Sequence, residues 1–200
     1  RSKDDWFSTL LFLAISMIII LWFNRQDLSP FYEGFTQESP YVFKQGKSTY
    51  DEFYAEIYNQ LMEPEMACKF QIEKIIEMTA PSIEKSSFLD VGSGTGEIAG
   101  QLSNKGYNTY AIDNSEAMTR YIDKKYPGVQ TKCSSVNQSM TYEKGSFTHV
   151  ICNGLTLYLF KNKQDFFRNS FFWLKSGGDL ILHLVEPTQI DTIVPGGKPK

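Results

Sequence analysis

Two hundred residues, 42% of them hydrophobic and 22% charged, suit one globular domain of about 150 residues with an appendage. The net charge of −3 lacks the basic signature of a nucleic-acid binder, and no nucleic acid is expected as a partner. Three widely spaced cysteines (Cys68, Cys133, Cys152) without a CxxC argue against a disulfide scaffold, and two isolated histidines (His149, His183) argue against a metal site.

The cysteine pattern predicts reduced, mostly buried thiols facing a reducing compartment. Residues 1–47 carry five basic and five acidic side chains, so the acidic excess lies wholly in the rest of the chain. Arg1 stands where a native start would have Met, so native sequence is expected to precede it.

The first predicted element is "WFSTLLFLAISMIIILWF", Trp6 to Phe23, 18 residues without a charge. As a helix it would reach about 27 Å, close to the hydrocarbon thickness of a bilayer. Trp6 and Trp22 bracket it as interfacial aromatics do, and no small-residue cleavage site follows. Residues 1–24 are therefore expected to form a single-pass anchor in a lipid bilayer. The flanking charges balance and leave its orientation open. Residues 25–47, with Pro30, Pro40 and the aromatics Phe31, Tyr32, Phe35, Tyr41 and Phe43, read as an extended tether. That many aromatics suit packing along the domain or against a protein partner.

Residues 48–200 read as the globular domain. Tyr50, Phe53, Tyr54, Ile57, Tyr58 and Leu61 fall at helical spacing, and Ile72, Ile75, Ile76 and Thr79 make a second stripe before Pro81. Strands are predicted at "SSFLDV", "YNTYAI", "VQTKCSS", "FTHVIC" and "DLILHLV", with helices over Glu97–Lys105, Ser115–Tyr126 and Gln164–Leu174. Such alternation calls for a mostly parallel sheet covered on both faces by right-handed crossovers.

Ligands of these sheets bind beyond the carboxyl ends of the strands. "LDVGSGTGE" stands there, its three glycines lacking a Cβ that would keep a ligand from the backbone. A dinucleotide loop would read GxGxxG, but the third glycine here comes one residue early and Glu97 takes its place. An acid at a helix N-terminus is a poor host for pyrophosphate. Asp113 follows Gly92 by 21 residues, a spacing at which a carboxylate can accept both hydroxyls of a ribose.

The GxGxG spacing with Asp90 before it, "YAIDNSEAM", "GSFTHVICNGLTLYLF" and "FFWLKSGGDLILHLVEP", in that order, resemble the class I S-adenosylmethionine-dependent methyltransferases from about Tyr50 to Pro187. The resemblance implies a Rossmann-like doubly wound sheet and S-adenosylmethionine as cofactor; the family core continues past the fifth strand, so either the chain is a fragment or the sheet is cut short there. It implies cofactor contacts from Asp90, Gly92, Ser93, Gly94, Gly96, Asp113, Asn114, Met118, Ser135 and Asn153. In that scheme Asp90 holds the ammonium, Asp113 the ribose, and Met118 gives adenine an apolar face. Details of three segments look closest to methyltransferase-like proteins of large DNA viruses of algae and protists, which would put the anchor in a virion or infected-cell membrane.

Two departures stand out. The acid that the family places after the third strand is replaced by Ser134 and Ser135, whose hydroxyls accept a hydrogen bond without charge assistance. "CNGLTLY" lacks the Asn/Asp-Pro-Pro-aromatic turn of amide and adenine methylators. Tyr158 and His149 are the nominal general bases, neither favoured, and Tyr50 and Tyr54 are placed to close over the cofactor. The expected function is a membrane-anchored methyltransferase with an unidentified acceptor. The alternative is a non-catalytic docking subunit of a membrane-associated assembly, built on the same fold.

Overall fold

A computed structural model describes residues 3–26, 43–62 and 64–186. The chain divides into two units, Arg1–Phe43 and Lys44–Lys200.

The first unit contains α1, Lys3–Gln26. Its described apolar side chains, from Trp6 to Trp22, are all exposed, and Ser16 donates its hydroxyl to the Phe12 carbonyl one turn back. The expected membrane span lies on this helix. Among the described residues, however, no helix is long and apolar enough to cross a membrane. The tether aromatics Phe31, Tyr32, Phe35 and Tyr41, and the end of the chain past Glu186, lie outside the described residues.

The second unit begins with α2 (Glu52–Met62) and α3 (Pro64–Thr79). Then come β1 (Ser87–Val91), α4 (Glu97–Asn104), β2 (Asn108–Asp113), α5 (Glu116–Lys125) and β3 (Gln130–Cys133). The series closes with β4 (Phe147–Cys152), α6 (Thr156–Leu159), α7 (Lys163–Trp173) and β5 (Leu174–Leu182). All five strands pair in parallel in the order β3-β2-β1-β4-β5. The chain starts in the middle at β1, winds outward to β3, then crosses back to β4. Loops after β1 and β4 therefore diverge at one place on the carboxyl edge, where such sheets open a crevice.

Burial on both faces explains the near-continuous apolar strands. One face packs Leu89, Val91, Val150 and Cys152 against Phe166 and Trp173 of α7. The other packs Phe88 and Ile151 against Cys68, Ile72 and Ile75 of α3 and Ile98 and Leu102 of α4. Ala99 of α4 and Ile122 of α5 close over Ala111.

Two expectations change. The stripe predicted around α2 is covered only in part: Tyr50, Tyr54, Ile57 and Tyr58 are half-buried, Phe53 and Leu61 are two-thirds exposed, and the buried residue is Ala55. A small side chain lets α2 lie close to α5, where Ala55 and Ala117 line the same cleft. β5 begins at Leu174 rather than Asp179 and pairs with β4 through a register shift between Phe147 and His149. The extra residues of Lys175–Gly178 are accommodated there because Gly177 takes a left-handed φ of 76°. Of the thiols, Cys68 and Cys152 are buried and Cys133 is exposed.

Candidate functional site

The strand registers put one row of residues across the carboxyl edge. Val91 pairs with Ile112, Asp90 with Ile151 and Ile151 with Ile181. Continued by the same register, Gly92 faces Asp113 on one side and Asn153 on the other, with His183 beyond Asn153. The His183 N–H donates to the Cys152 carbonyl at 3.0 Å, and Asp113 pairs onward with Cys133. Strands lie about 4.8 Å apart, so the row from Asp113 to His183 is about 15 Å long.

Gly92 sits at its centre with φ 67°. A Cβ there would stand 2.3 Å from Thr156 Cγ2, so glycine is what lets the turn after β4 come against the loop after β1. The Gly92 N–H and the Ser93 N–H both donate to the Ile112 carbonyl, at 2.8 and 3.3 Å. Gly96 is the left-handed N-cap of α4, with φ 74°, and a Cβ on it would meet Ile122 Cγ1 at 2.7 Å. Among the described residues, Ser93 Oγ is buried without a hydrogen-bond partner. A buried hydroxyl left so is a polar atom waiting for a ligand or water.

Two carboxyls flank the loop. Asp90, 4% exposed in β1, is pushed up to about 7 by burial, and further by Asp113, against the lowering hydrogen bond from the Ala99 backbone. Asp113 is also raised, chiefly by burial, while backbone donors at Ser115 and Gly94 pull it down. The Gly94 N–H reaches Asp113 Oδ2 at 2.9 Å and the Ser115 N–H reaches Oδ1 at 2.8 Å. Asp113 thus sits on the row and Asp90 two residues beneath Gly92, both raised chiefly by burial, an environment that a cationic or polyhydroxylated ligand would relieve.

The other expected contacts are placed less uniformly. Asn114 is exposed next to Asp113. Met118 is 2% exposed and lies in the first turn of α5, its N–H capped by Ser115 Oγ at 3.2 Å. Ser135 is half-buried after β3, its hydroxyl accepting from the Asn137 N–H at 3.3 Å. Asn153 turns towards α3 and donates to Gln71 Oε1 at 2.7 Å. Ser115 Oγ donates to the Tyr50 carbonyl at 2.6 Å, which brings the approach to α2 beside the Asp113 end of the row. Tyr50, just before α2, meets Tyr54 edge-on and Tyr54 meets Tyr58 at a tilt, with ring centres 5.4 and 5.6 Å apart. Tyr158 is about half exposed on α6 and accepts from the Val185 N–H. His149 lies four residues down β4, buried and stacked on Phe88 at 4.3 Å, which removes it from the site.

Residue-pattern reading missed two supports. Asn59 of α2 accepts from Thr95 Oγ1 at 2.7 Å and donates to Glu97 Oε2 at 3.4 Å. Glu97 also accepts from Gln101, Lys125 and Tyr126, at 3.1, 3.1 and 2.8 Å. It is the residue that breaks the dinucleotide pattern, and its carboxylate ties α2, α4 and α5 together behind the loop. Gln71 is the second support. Its signal was available, because a glutamine falls on the same helical face as Cys68, Ile72 and Ile75.

Comparison with known proteins fits this geometry. Residues 89–182 match the family described as "Methyltransferase domain". A Bacillus subtilis protein described as a methyltransferase, YqeM, is 32% identical over 148 residues, covering 71% of this chain and 58% of that protein. Phosphoethanolamine N-methyltransferase 1 of Zea mays is 28% identical over 103 residues, 49% of this chain and 21% of the plant protein. Among solved structures, an S-adenosylmethionine-dependent methyltransferase of Methanococcus maripaludis superposes with TM-score 0.60 at 19% identity, covering 70% of this chain and 67% of that one. A TehB-like methyltransferase of Corynebacterium glutamicum gives 0.54 at 18% identity, covering 66% and 73%. The fold is that of the S-adenosylmethionine-dependent methyltransferases. The chain spans a little over half of the first of these sequence relatives and about a fifth of the second. None of the four is a viral protein.

S-adenosylmethionine is the cofactor that this family and fold imply, and the residues present fit it. Asp90 offers a carboxylate to an ammonium and Asp113 one to ribose hydroxyls. The glycine loop leaves its backbone open, and Ser93 Oγ lacks a partner. Once bound, the cofactor would supply an electrophilic methyl on a sulfonium.

Proposed function

We propose that the chain is a methyltransferase that uses S-adenosylmethionine and works at a lipid surface. The observation that carries the first half is the single row Asp113–Gly92–Asn153, with buried Asp90 beneath it and the orphaned Ser93 hydroxyl beside it. In an in-line displacement most of the acceleration comes from holding donor and acceptor in line. This chain would do so by fixing the donor from both ends, with Asp90 and the loop at one and Asp113 at the other, leaving the β4 side of Gly92 for the acceptor. Ultraviolet crosslinking of methyl-tritiated S-adenosylmethionine tests this half. Label should enter the segment 88–118 and be competed away by S-adenosylhomocysteine.

The second half is supported by the uncharged run Trp6–Phe23 and by the exposure of every described apolar side chain of α1. Exposed apolar surface on that scale marks a membrane or protein contact. Flotation with phosphatidylcholine vesicles tests it: the full chain should rise with the lipid, and recovery at the bottom of the gradient would remove the lipid assignment. The competing reading, a docking subunit without turnover, gains support from Ser135, whose hydroxyl is already engaged by Asn137 where the family has an acid. Absence of crosslinking in a folded chain would favour it.

A further inference from the structure

A chain of three polar side chains crosses the far end of the carboxyl-edge row. Asn153 Nδ2 donates to Gln71 Oε1 at 2.7 Å, and Gln71 Nε2 lies 3.4 Å from His183 Nδ1. Gln71 rides on α3 between the buried Cys68 and Ile72, so its backbone is anchored in the core. Its amide orientation is set by Asn153, because the oxygen that accepts from Asn153 leaves only the NH₂ to face the histidine. An amide nitrogen can only donate. With this amide orientation His183 Nδ1 accepts, and a ring with one proton would carry it on Nε2.

By register His183 stands in the row of Gly92, two strands away, about 10 Å. Asn153 occupies the strand between them. The loop at Gly92 and Asp113 takes up the donor side of the row, so the space above Asn153 lies between a methyl donor and His183. Two exposed apolar side chains stand close by in sequence: Leu155, two residues past Asn153, and Leu184, next to His183, are 37% and 56% exposed. The Val185 N–H to Tyr158 hydroxyl bond, 3.3 Å, ties the segment after β5 to α6. His183 is thus a polar group, held by the Gln71 amide, with exposed leucines close to it and to Asn153 in sequence.

We infer that His183 is the polar anchor of the acceptor subsite, offering its Nε2–H to an oxygen of an acceptor with an apolar body, while Gln71 and Asn153 position it. This rests on the methyltransferase reading above. His183 acts here as a binding residue and Gln71 as a positioning residue. The methyl leaves sulfur for the acceptor's nucleophilic atom, and no proton is assigned to His183 in that step. A fixed tautomer on a rigid support is what a directional hydrogen bond to a substrate needs, since the wrong ring nitrogen would present a lone pair instead.

The chain's only two histidines make the test direct. Ring ¹⁵N and ¹H spectra of the full chain in detergent are recorded with S-adenosylmethionine and with S-adenosylhomocysteine, which differ by the methyl and its positive charge. Binding of both is established first by calorimetry. The His183 signals should differ between the two complexes by more than a line width and show the Nε2–H pattern. His149, four residues down its strand and about 13 Å below the row, should give coincident signals. Gln71→Leu should turn the His183 pattern of the cofactor-free chain into a mixture of tautomers, which a merely structural role of Gln71 would not do. Coincident His183 signals in the two complexes, or an Nδ1–H pattern in the unaltered chain, would overturn the inference while the cofactor reading stands. Failure of either compound to bind a folded chain would remove that reading, and this one with it.

Discussion

The Gly94 N–H donates to Asp113 Oδ2 at 2.9 Å, across 19 residues of chain. That bond joins the loop after β1 to the end of β2, while the Ser115 N–H holds the other carboxylate oxygen. Asp113 is thus both a strut for the loop and the expected ribose acceptor. Replacing it with Ala should weaken S-adenosylmethionine binding roughly 10–100-fold, the range for losing hydrogen bonds to a charged group. Asp113→Asn keeps one acceptor oxygen and should fall between. Titration calorimetry on the three chains checks the order.

Gly92 is the tightest point of the site. Gly92→Ala would set a methyl 2.3 Å from Thr156 Cγ2 at a φ of 67°, so the turn after β4 must move. We expect a loss of about 2–4 kcal/mol in unfolding free energy, the scale of overpacking plus backbone strain. Denaturant unfolding measures it, and a loss below about 0.5 kcal/mol would mean that the two loops are not held together.

Burial, and less strongly the neighbouring Asp113, push the Asp90 carboxyl up to about 7 from 3.8. The raised value means that the free fold prefers the protonated acid. This group's contribution to stability is complete below pH 3.8 and is lost as pH rises through 7. An ammonium group needs the carboxylate, so the two effects oppose each other. Cofactor binding should tighten between pH 6 and 8 and, at pH 6, should release protons, visible as a dependence of binding heat on buffer ionisation enthalpy. Asp90→Asn should abolish the proton release.

Glu97 closes the hub behind the loop. Burial raises its carboxyl, but the hydrogen bonds from Gln101, Tyr126 and Lys125 outweigh that and hold it below the usual range. Glu97→Ala would leave the Asn59 amide and the Tyr126 hydroxyl without this acceptor. A cost of about 1–3 kcal/mol is expected, with little from the Lys125 ion pair because that lysine is partly exposed. Thermal unfolding reads it, and Glu97→Gln should recover part of the loss.

The thiols should react in two classes. Cys133 is exposed, whereas burial pushes Cys68 and Cys152 up to about 12, with Asp90 adding to both. An aromatic disulfide reagent at pH 8 should titrate one thiol quickly in the native chain and three in denaturant.

The sheet, its crossovers and the glycine loop after β1 were legible because they rest on local signals: apolar strand runs, glycines at alternate positions and Asp113 at the end of the second run. The bounds of α4, α5 and α7 followed to within a residue or two for the same reason. What was not legible depends on distant partners. The face of α2 was legible only in part, because the close approach of α5 favours Ala55 over the larger Phe53 and Leu61 while Tyr54, Ile57 and Tyr58 are half-buried. The early start of β5 depends on a register shift that only its pairing with β4 shows. Gln71 and Asn59 meet their partners 82 and 36 residues away, and no short window of sequence contains both ends of such a bond.

The central claim is that Asp90, the loop at Gly92 and Asp113 hold S-adenosylmethionine, and titration calorimetry of the cofactor into the full chain in detergent tests it most directly. Micromolar binding, lost or strongly weakened in Asp113→Ala while that variant still unfolds cooperatively, is the predicted result. No heat of binding from a chain that unfolds cooperatively would contradict the claim and leave a methyltransferase fold used for docking.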